Sequence, residues 1–352
     1  MGRHRRAGWV RRRMVIVLVM GLALPTGLIA VASATTGRGL EPWASDMLEL
    51  ATGPGGADSP VTELSETTRL ADRRALVTGD RFTAMSAADG RYPATGWHIR
   101  GEMGGFWTPP IKLLDGVWFG TDGAWLGPGT RTTSGWGYVR TDLPTRKGVR
   151  ASRVDFVPDG VRASLVGLTF TAPRAQQLTL TVEAHSELMS AYPWSATTPS
   201  QSMVNLKDTG AFEDGALVFR DVGTPPGTYQ APHDWAALVA TTVAPHGGRL
   251  GPDFRGPQTP AVICPASGPG TPAPPARCDD SAYGRGTGGQ LRYTISLGAQ
   301  RPKTIWFAVA GSDRGLPDAR VELARPRRPG RPVRPQGRRA RRRRRLDRRR
   351  PA

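Results

Sequence analysis

The sequence predicts an all-β protein, a large antiparallel β-sandwich of the supersandwich kind, and three observations lead there. Eleven strand-length runs separated by Gly, Pro and Asp turns lie between ALVTG at residues 75–79 and KTIWFAVAG at 303–311. In QQLTLTVEAHSEL, Leu178, Leu180, Val182 and Ala184 fall on one face and Thr179, Thr181, Glu183 and His185 on the other, the alternation of a half-buried antiparallel strand. Helical pattern is confined to the short pieces PWASDMLELA and DARVELAR.

The chain opens with MGRHRRAGWVRRR, which carries six arginines, and then the apolar run MVIVLVMGLALPTGLIAVASA. A basic segment, an apolar segment interrupted by Pro25 and Gly27, and an A-x-A ending form a secretory signal over 1–34, with cleavage between Ala34 and Thr35. The alternative is an uncleaved membrane anchor, since a spanning helix needs about 20 apolar residues. Residues 35–74 form a mature N-terminal segment, 75–312 the β-sandwich, and 313–325 the start of a linker helix. The runs VRASLVGLTFTAP and QQLTLTVEAHSEL, turning at Pro173 and Arg174, read as a hairpin.

The formal net charge of +19 resides at the two ends. Six arginines precede residue 14, and residues 326–352 hold 14 arginines against the single Asp347, so the middle of the chain sums to zero. A nucleic-acid-binding domain spreads its basic charge over a folded face, so no specific nucleic acid is expected as a partner. The tail has almost no aliphatic residues and cannot form a core; it reads as disordered. Two origins fit its composition: a basic arm for anionic polymers or the cell surface, or a frameshifted GC-rich reading frame after Arg325, in which case the native chain continues differently.

Cys264 and Cys278 are the only cysteines and bracket the loop PASGPGTPAPPAR. In an exported chain this pair reads as a disulfide, and no histidine between residues 247 and 352 is at hand to make it a zinc site. The patterns G-x-S-x-G, H-E-x-x-H and the P-loop are absent, so no catalytic residue, cofactor or metal is assigned. GRGTGG at 284–289 lacks the strand and helix that frame a dinucleotide loop and reads as a turn before QLRYTISL.

Five of the ten tryptophans lie between residues 97 and 136. VWFG and GWGYVR place Trp118 and Trp136 in the core, whereas the glycines and prolines around TGWHIRGEMGGFWTPP place Trp97 and Trp107 on a loop. His98, Arg100 and Glu102, spaced by two, share one side of an extended chain. They form either a structural ion-pair cluster or, with Trp97 and Trp107, a ligand-contacting set, since aromatic rings suit both a core and the apolar face of a sugar. Glu183, His185 and Glu187 share a second face. The two glutamates, four residues apart, are separated by roughly 13 Å on a strand, too far for either glycoside-hydrolysis geometry.

The runs RYPATGWHIRGEMGGFWTPPIKLLDGVWFG, TSGWGYVRTDLP, VDFVPDGVRASLVGL, LTVEAHSELMSAYPW, VICPASGPG, CDDSAYGRGTGGQL and TIWFAVAGSDRG resemble the N-terminal portion of secreted actinobacterial glycogen debranching proteins of the six-hairpin glycosidase type. The resemblance covers roughly residues 70–325. It implies a β-sandwich preceding an α/α barrel that carries the catalytic carboxylates, and this chain reaches only the linker helix. The expected function is that of an exported carbohydrate-associated accessory domain facing α-glucan or another carbohydrate, without its catalytic barrel. The alternative is a free-standing cell-envelope or carbohydrate-binding protein anchored by its basic tail; membrane contact is expected only through an uncleaved signal segment. Mass spectrometry of protein secreted by an expression host is expected to find Thr35 at the N-terminus, and a full-length chain recovered from the membrane is the contrary result.

Overall fold

A computed structural model describes residues 63–93, 95, 103–135, 137–190, 206–225, 231–257 and 286–324, with the backbone of residues 99–100 and 264–265. The first strands are β1 (Leu64–Glu66), β2 (Arg74–Thr78), β3 (Thr83–Ala87), β4 (Ile99–Arg100), β5 (Gly105–Thr108), β6 (Ile111–Thr121) and β7 (Ala124–Trp125). Then come β8 (Arg131–Ser134), β9 (Tyr138–Arg146), β10 (Val149–Phe156), β11 (Ala163–Thr171), β12 (Gln176–Met189) and β13 (Thr209–Glu213). The chain continues through β14 (Ala216–Gly223), β15 (His233–Thr241), β16 (Gly247–Leu250), β17 (Cys264–Pro265), β18 (Gly288–Leu297) and β19 (Lys303–Ser312) to the helix α1 (Leu316–Ala324).

The strands form two large antiparallel sheets, so the chain is an all-β sandwich. One sheet runs β1-β8-β9-β10-β11-β19-β15-β14-β13; the other runs β16-β18-β12-β6-β5-β3-β2, with β7 added to the far end of β6. β4 and β17 pair separately. The inner faces meet through Phe119 of β6 and Tyr293 of β18, both against Phe307 of β19, with ring centroids 5.1 and 6.0 Å apart. Such aromatic contacts add about 0.5–1.5 kcal/mol each beyond their area burial. Among the described residues no helix is long and apolar enough to cross a membrane.

The predicted strand runs fall on strands of the structure, with one error of connection. β11 and β12 are not a hairpin: β11 pairs with β10 and β19, whereas β12 pairs with β18 and β6 in the opposite sheet. Both strands present an apolar face inward, and Pro173, which lacks an N–H for a ladder, lies in the short link where the chain changes sheets. The stretch predicted to be helical at DARVELAR falls on the helix α1. It packs on β19 and β15, and its buried Glu322 accepts hydrogen bonds from Arg81 Nη1 at 3.3 Å and the Arg162 N–H at 3.1 Å.

The loop assignment of Trp107 is also corrected. Trp107 lies on β5, pairs with Thr83 of β3 and Lys112 of β6, and is 1% exposed, its indole N–H donating to the Gly104 carbonyl at 3.2 Å. The surrounding glycines and prolines mark the ends of a short central strand. Gly105 has φ +88°, and a Cβ there would lie 2.0 Å from the Leu114 carbonyl oxygen, so only glycine allows β5 to leave β6 at that point. Trp107→Ala is expected to destabilise the protein by about 3–5 kcal/mol, as much as Trp118→Ala, in urea unfolding. A Trp107 variant with parental stability would return this residue to the surface.

Candidate functional site

Of the predicted ligand-contacting set, Trp97, His98 and Glu102 lie outside the described residues. Arg100 is known by its backbone alone, paired with Cys264 across β4 and β17. Cys278 and the side chain of Cys264, and with them the expected disulfide, lie outside the described residues, as do Ala34, Thr35, Trp136 and the basic tail. Trp107 is core, so its ring face is not offered to a ligand. The structure directs attention instead to two places along β6.

The first is a buried polar cluster at a bulge. His185 of β12 pairs with Gly116 of β6, but the next residue, Ser186, pairs with Leu114, so Asp115 is the extra residue. The bulge brings Asp115 to the face of His185, with Oδ2 3.2 Å from Nδ1. Lys112 Nζ donates to Asp115 Oδ1 at 2.7 Å. Lys112, Asp115, His185 and Glu187 are each at most 1% exposed. Glu183, one alternation away, has separate duties, accepting from Gln290 Nε2 and from the Gly256 N–H, both at 2.7 Å. The face predicted to be either solvated or covered is therefore covered at its C-terminal half.

On the other side of β12, Asp208 accepts from Ser186 Oγ at 2.6 Å and from the Leu188 N–H at 3.1 Å. Burial raises its pKa well above the ordinary carboxylate value despite those two donors. Burial also works to raise Asp115, yet the Lys112 ammonium and then His185 bring it below the ordinary value, so Asp115 is ionised. Sequence reasoning singled out His185 and Glu187 but missed Lys112 and Asp115. Their signal was present: two charges inside IKLLDGVWFG, a run otherwise apolar enough to be a central strand.

The second place is a cleft of about 200 Å³ beside residues 117–119 of β6. β5 pairs with β6 only up to Leu114 and β7 only from Gly120, so no strand pairs with the stretch between, where the Leu126 N–H donates to the Phe119 carbonyl at 2.7 Å. Trp125, half-buried, packs against Gly120, and Trp118, Leu126 and Pro128 complete the apolar wall. At the rim Asp89, nearly buried, holds Arg91 by its Nε and Nη2 at 2.8 and 2.6 Å; the Arg91 side chain remains 52% exposed. On the floor Arg153 is fixed by Asp155 through two bonds of 2.7 Å and by the Tyr92 hydroxyl at 2.6 Å. Burial pushes the Tyr92 pKa up to about 12, so the phenol stays neutral. An aromatic wall with fixed guanidinium and carboxylate groups suits a small polar molecule with one apolar face.

No family model matches the chain, and no curated protein sequence does. Solved structures resemble it weakly. A protein put forward as a kojibiose phosphorylase from the human microbiome aligns with TM-score 0.40 and 9% identity, covering 72% of this chain and 32% of that one. A family GH92 α-mannosidase from Bacteroides thetaiotaomicron, in complex with mannoimidazole, aligns with TM-score 0.32 and 14% identity over 70% of this chain and 28% of its own. A polysaccharide lyase aligns with TM-score 0.31 and 9% identity, over 72% and 34%. The chain thus spans about a third of the length of these proteins. At these TM-scores the likeness assigns neither a residue nor an activity.

The two buried aspartates are expected to act oppositely on stability. Asp208, whose pKa is raised in the fold, binds its proton more tightly in the native state; its contribution is present at low pH and lost as pH climbs from about 4 through the folded pKa. Asp115, whose pKa is lowered, contributes at neutral pH, and that contribution is lost as pH falls through its folded pKa. Asp208→Asn, which keeps an acceptor for Ser186 and Leu188, is expected to stay within about 1 kcal/mol of the parent at acid pH and to gain on it as pH rises. Asp115→Asn leaves Lys112 without its carboxylate partner and is expected to cost about 3–5 kcal/mol at pH 7. Denaturant unfolding across pH checks both signs; a gain for Asp208→Asn that shrinks with rising pH contradicts the assignment.

Proposed function

We propose that this chain is the exported, carbohydrate-associated β domain of a glycoside hydrolase of the glycogen-debranching type, holding a sugar ring of an α-glucan in the cleft beside Trp125. The observation that carries this reading is the cleft itself, with a half-buried tryptophan on one side and Arg91, oriented by Asp89, at the rim. The ring supplies an apolar face for the C–H side of a hexose, while the guanidinium donates to hydroxyl oxygens. The sequence runs that resemble secreted glycogen debranching proteins support the same reading, as does the signal-like pattern of basic and apolar residues over 1–34. No catalytic role is attached to the cleft. Asp89 is committed to Arg91 and Asp155 to Arg153, so neither is set up as a general acid or base.

Calorimetric titration of the chain with maltooligosaccharides and glycogen tests the proposal. Trp125→Ala is expected to weaken binding at least about tenfold, or roughly 1.4 kcal/mol, and Arg91→Ala to do likewise, each with a melting temperature within a few degrees of the parent. Undiminished glucan binding in both variants would remove the cleft from the interaction. Binding to anionic cell-wall polymer that disappears on deletion of residues 326–352 and ignores Trp125→Ala would favour the cell-envelope alternative.

A further inference from the structure

We infer that Asp115, His185 and Glu187 form a binding site for one divalent transition-metal ion, zinc being the best match, which ties β6 to β12 in the buried layer of the sandwich. One ligand atom from each of the three lies within 4.8 Å of the others, and all three residues are buried. The site is independent of the cleft and of the carbohydrate reading.

Its construction is local and follows from the strand geometry. His185 and Glu187 of β12 both face Gly286, so an H-x-E pair offers a nitrogen and an oxygen side by side. The bulge in β6 supplies the third ligand from the neighbouring strand. The contact between Asp115 Oδ2 and His185 Nδ1 is 3.2 Å, close to the edge of roughly 3.3 Å between two ligands that sit about 2.0–2.1 Å from a tetrahedral zinc. Lys112 occupies the other carboxylate oxygen, Oδ1, at 2.7 Å, and so orients Oδ2 toward the site, the outer support that ligating carboxylates typically receive.

The covering chain also fits. Gly286 lies over the cluster, where an added Cβ would stand 1.9 Å from the Ser186 carbonyl oxygen, 2.8 Å from His185 Cε1 and 3.0 Å from Glu187 Oε2, so a glycine is what allows the chain to approach there. This gives part of the GRGTGG run a role beyond that of a turn. Lys112 narrows the choice of ion. Calcium and magnesium gain chiefly from oxygen ligands and must compete with an ammonium already on Asp115, whereas a first-row transition metal gains in addition from the imidazole nitrogen. The burial of all three ligands keeps the ion away from bulk solvent.

The test is metal content and stability of the full chain, stripped with a chelator and titrated with zinc. One equivalent is expected to bind and to raise the melting temperature by about 5–10 °C with zinc at roughly a hundred times its Kd. His185→Gln and Glu187→Gln are expected to weaken zinc binding at least about tenfold, while His233→Gln, on the opposite sheet, leaves it unchanged. Should the ligand variants fail to fold, cobalt substitution of the parent decides. Visible d–d bands without the thiolate absorption that Cys264 or Cys278 would give support the site. Thiolate bands, zinc uptake unaffected by His185→Gln, uptake of calcium in preference to zinc, or a melting temperature indifferent to metal and chelator would each overturn it.

Discussion

The sandwich depends on β6, a single strand that must satisfy neighbours on both edges and both faces. From Ile111 to Gly120 every residue is buried. One edge pairs with β12 along most of its length, and the other is shared between β5 and β7. One face sends Phe119 to Phe307 across the core; the other carries Trp118 against Tyr92 at 5.8 Å. A strand buried on all sides has no water to satisfy a stray polar group, so each irregularity in it must be matched by a specific partner. Two irregularities of β6, the bulge at Asp115 and the gap between β5 and β7, are where the polar cluster and the cleft are found.

The two places use buried charge differently. At the bulge, ionised Asp115 is held between Lys112 and His185, all three removed from solvent. Beside the gap, Arg153 lies between the sheets, with its guanidinium on Asp155 and its cationic face over the rings of Tyr92 and Phe119, at 5.6 and 5.4 Å. Pairing of this kind does not by itself make a fold more stable, because desolvation opposes the Coulombic gain; what it does is make the loss of either partner expensive. Arg153 thereby fixes Tyr92, and Tyr92 fills the space next to Gly116 where β5 has turned away.

The strands were legible because their period-2 patterns and turn residues are local properties. ALVFRD, WAALVATTV, QLRYTISL and KTIWFAVAG all lie on strands of the structure. The site was less legible. Trp107 has the local chemistry of a loop residue, and only its pairing with both β3 and β6 shows that it is core. Glu183, His185 and Glu187 were visible as one face of a strand, but the distance from Glu183 to its real partner, Gln290, is 107 residues in sequence. A contact of that kind leaves no mark on the spacing of nearby residues.

Taken alone, the sequence determined the all-β class, the inward face of β12, the helix after β19 and the confinement of basic charge to the chain ends. These depend on residue type and on short periodicities, which the backbone's two soft dihedrals per residue translate directly into local structure. Tertiary structure decided that β11 and β12 belong to opposite sheets, that Trp107 is enclosed, that Asp115 is turned by a bulge to meet His185, and that the part of β6 between β5 and β7 borders a cleft beside Trp125. The reason is register. Which strand lies beside which, and with what offset, is settled by burying two whole sheet faces together, and a one-residue shift exchanges the faces of every side chain on a strand.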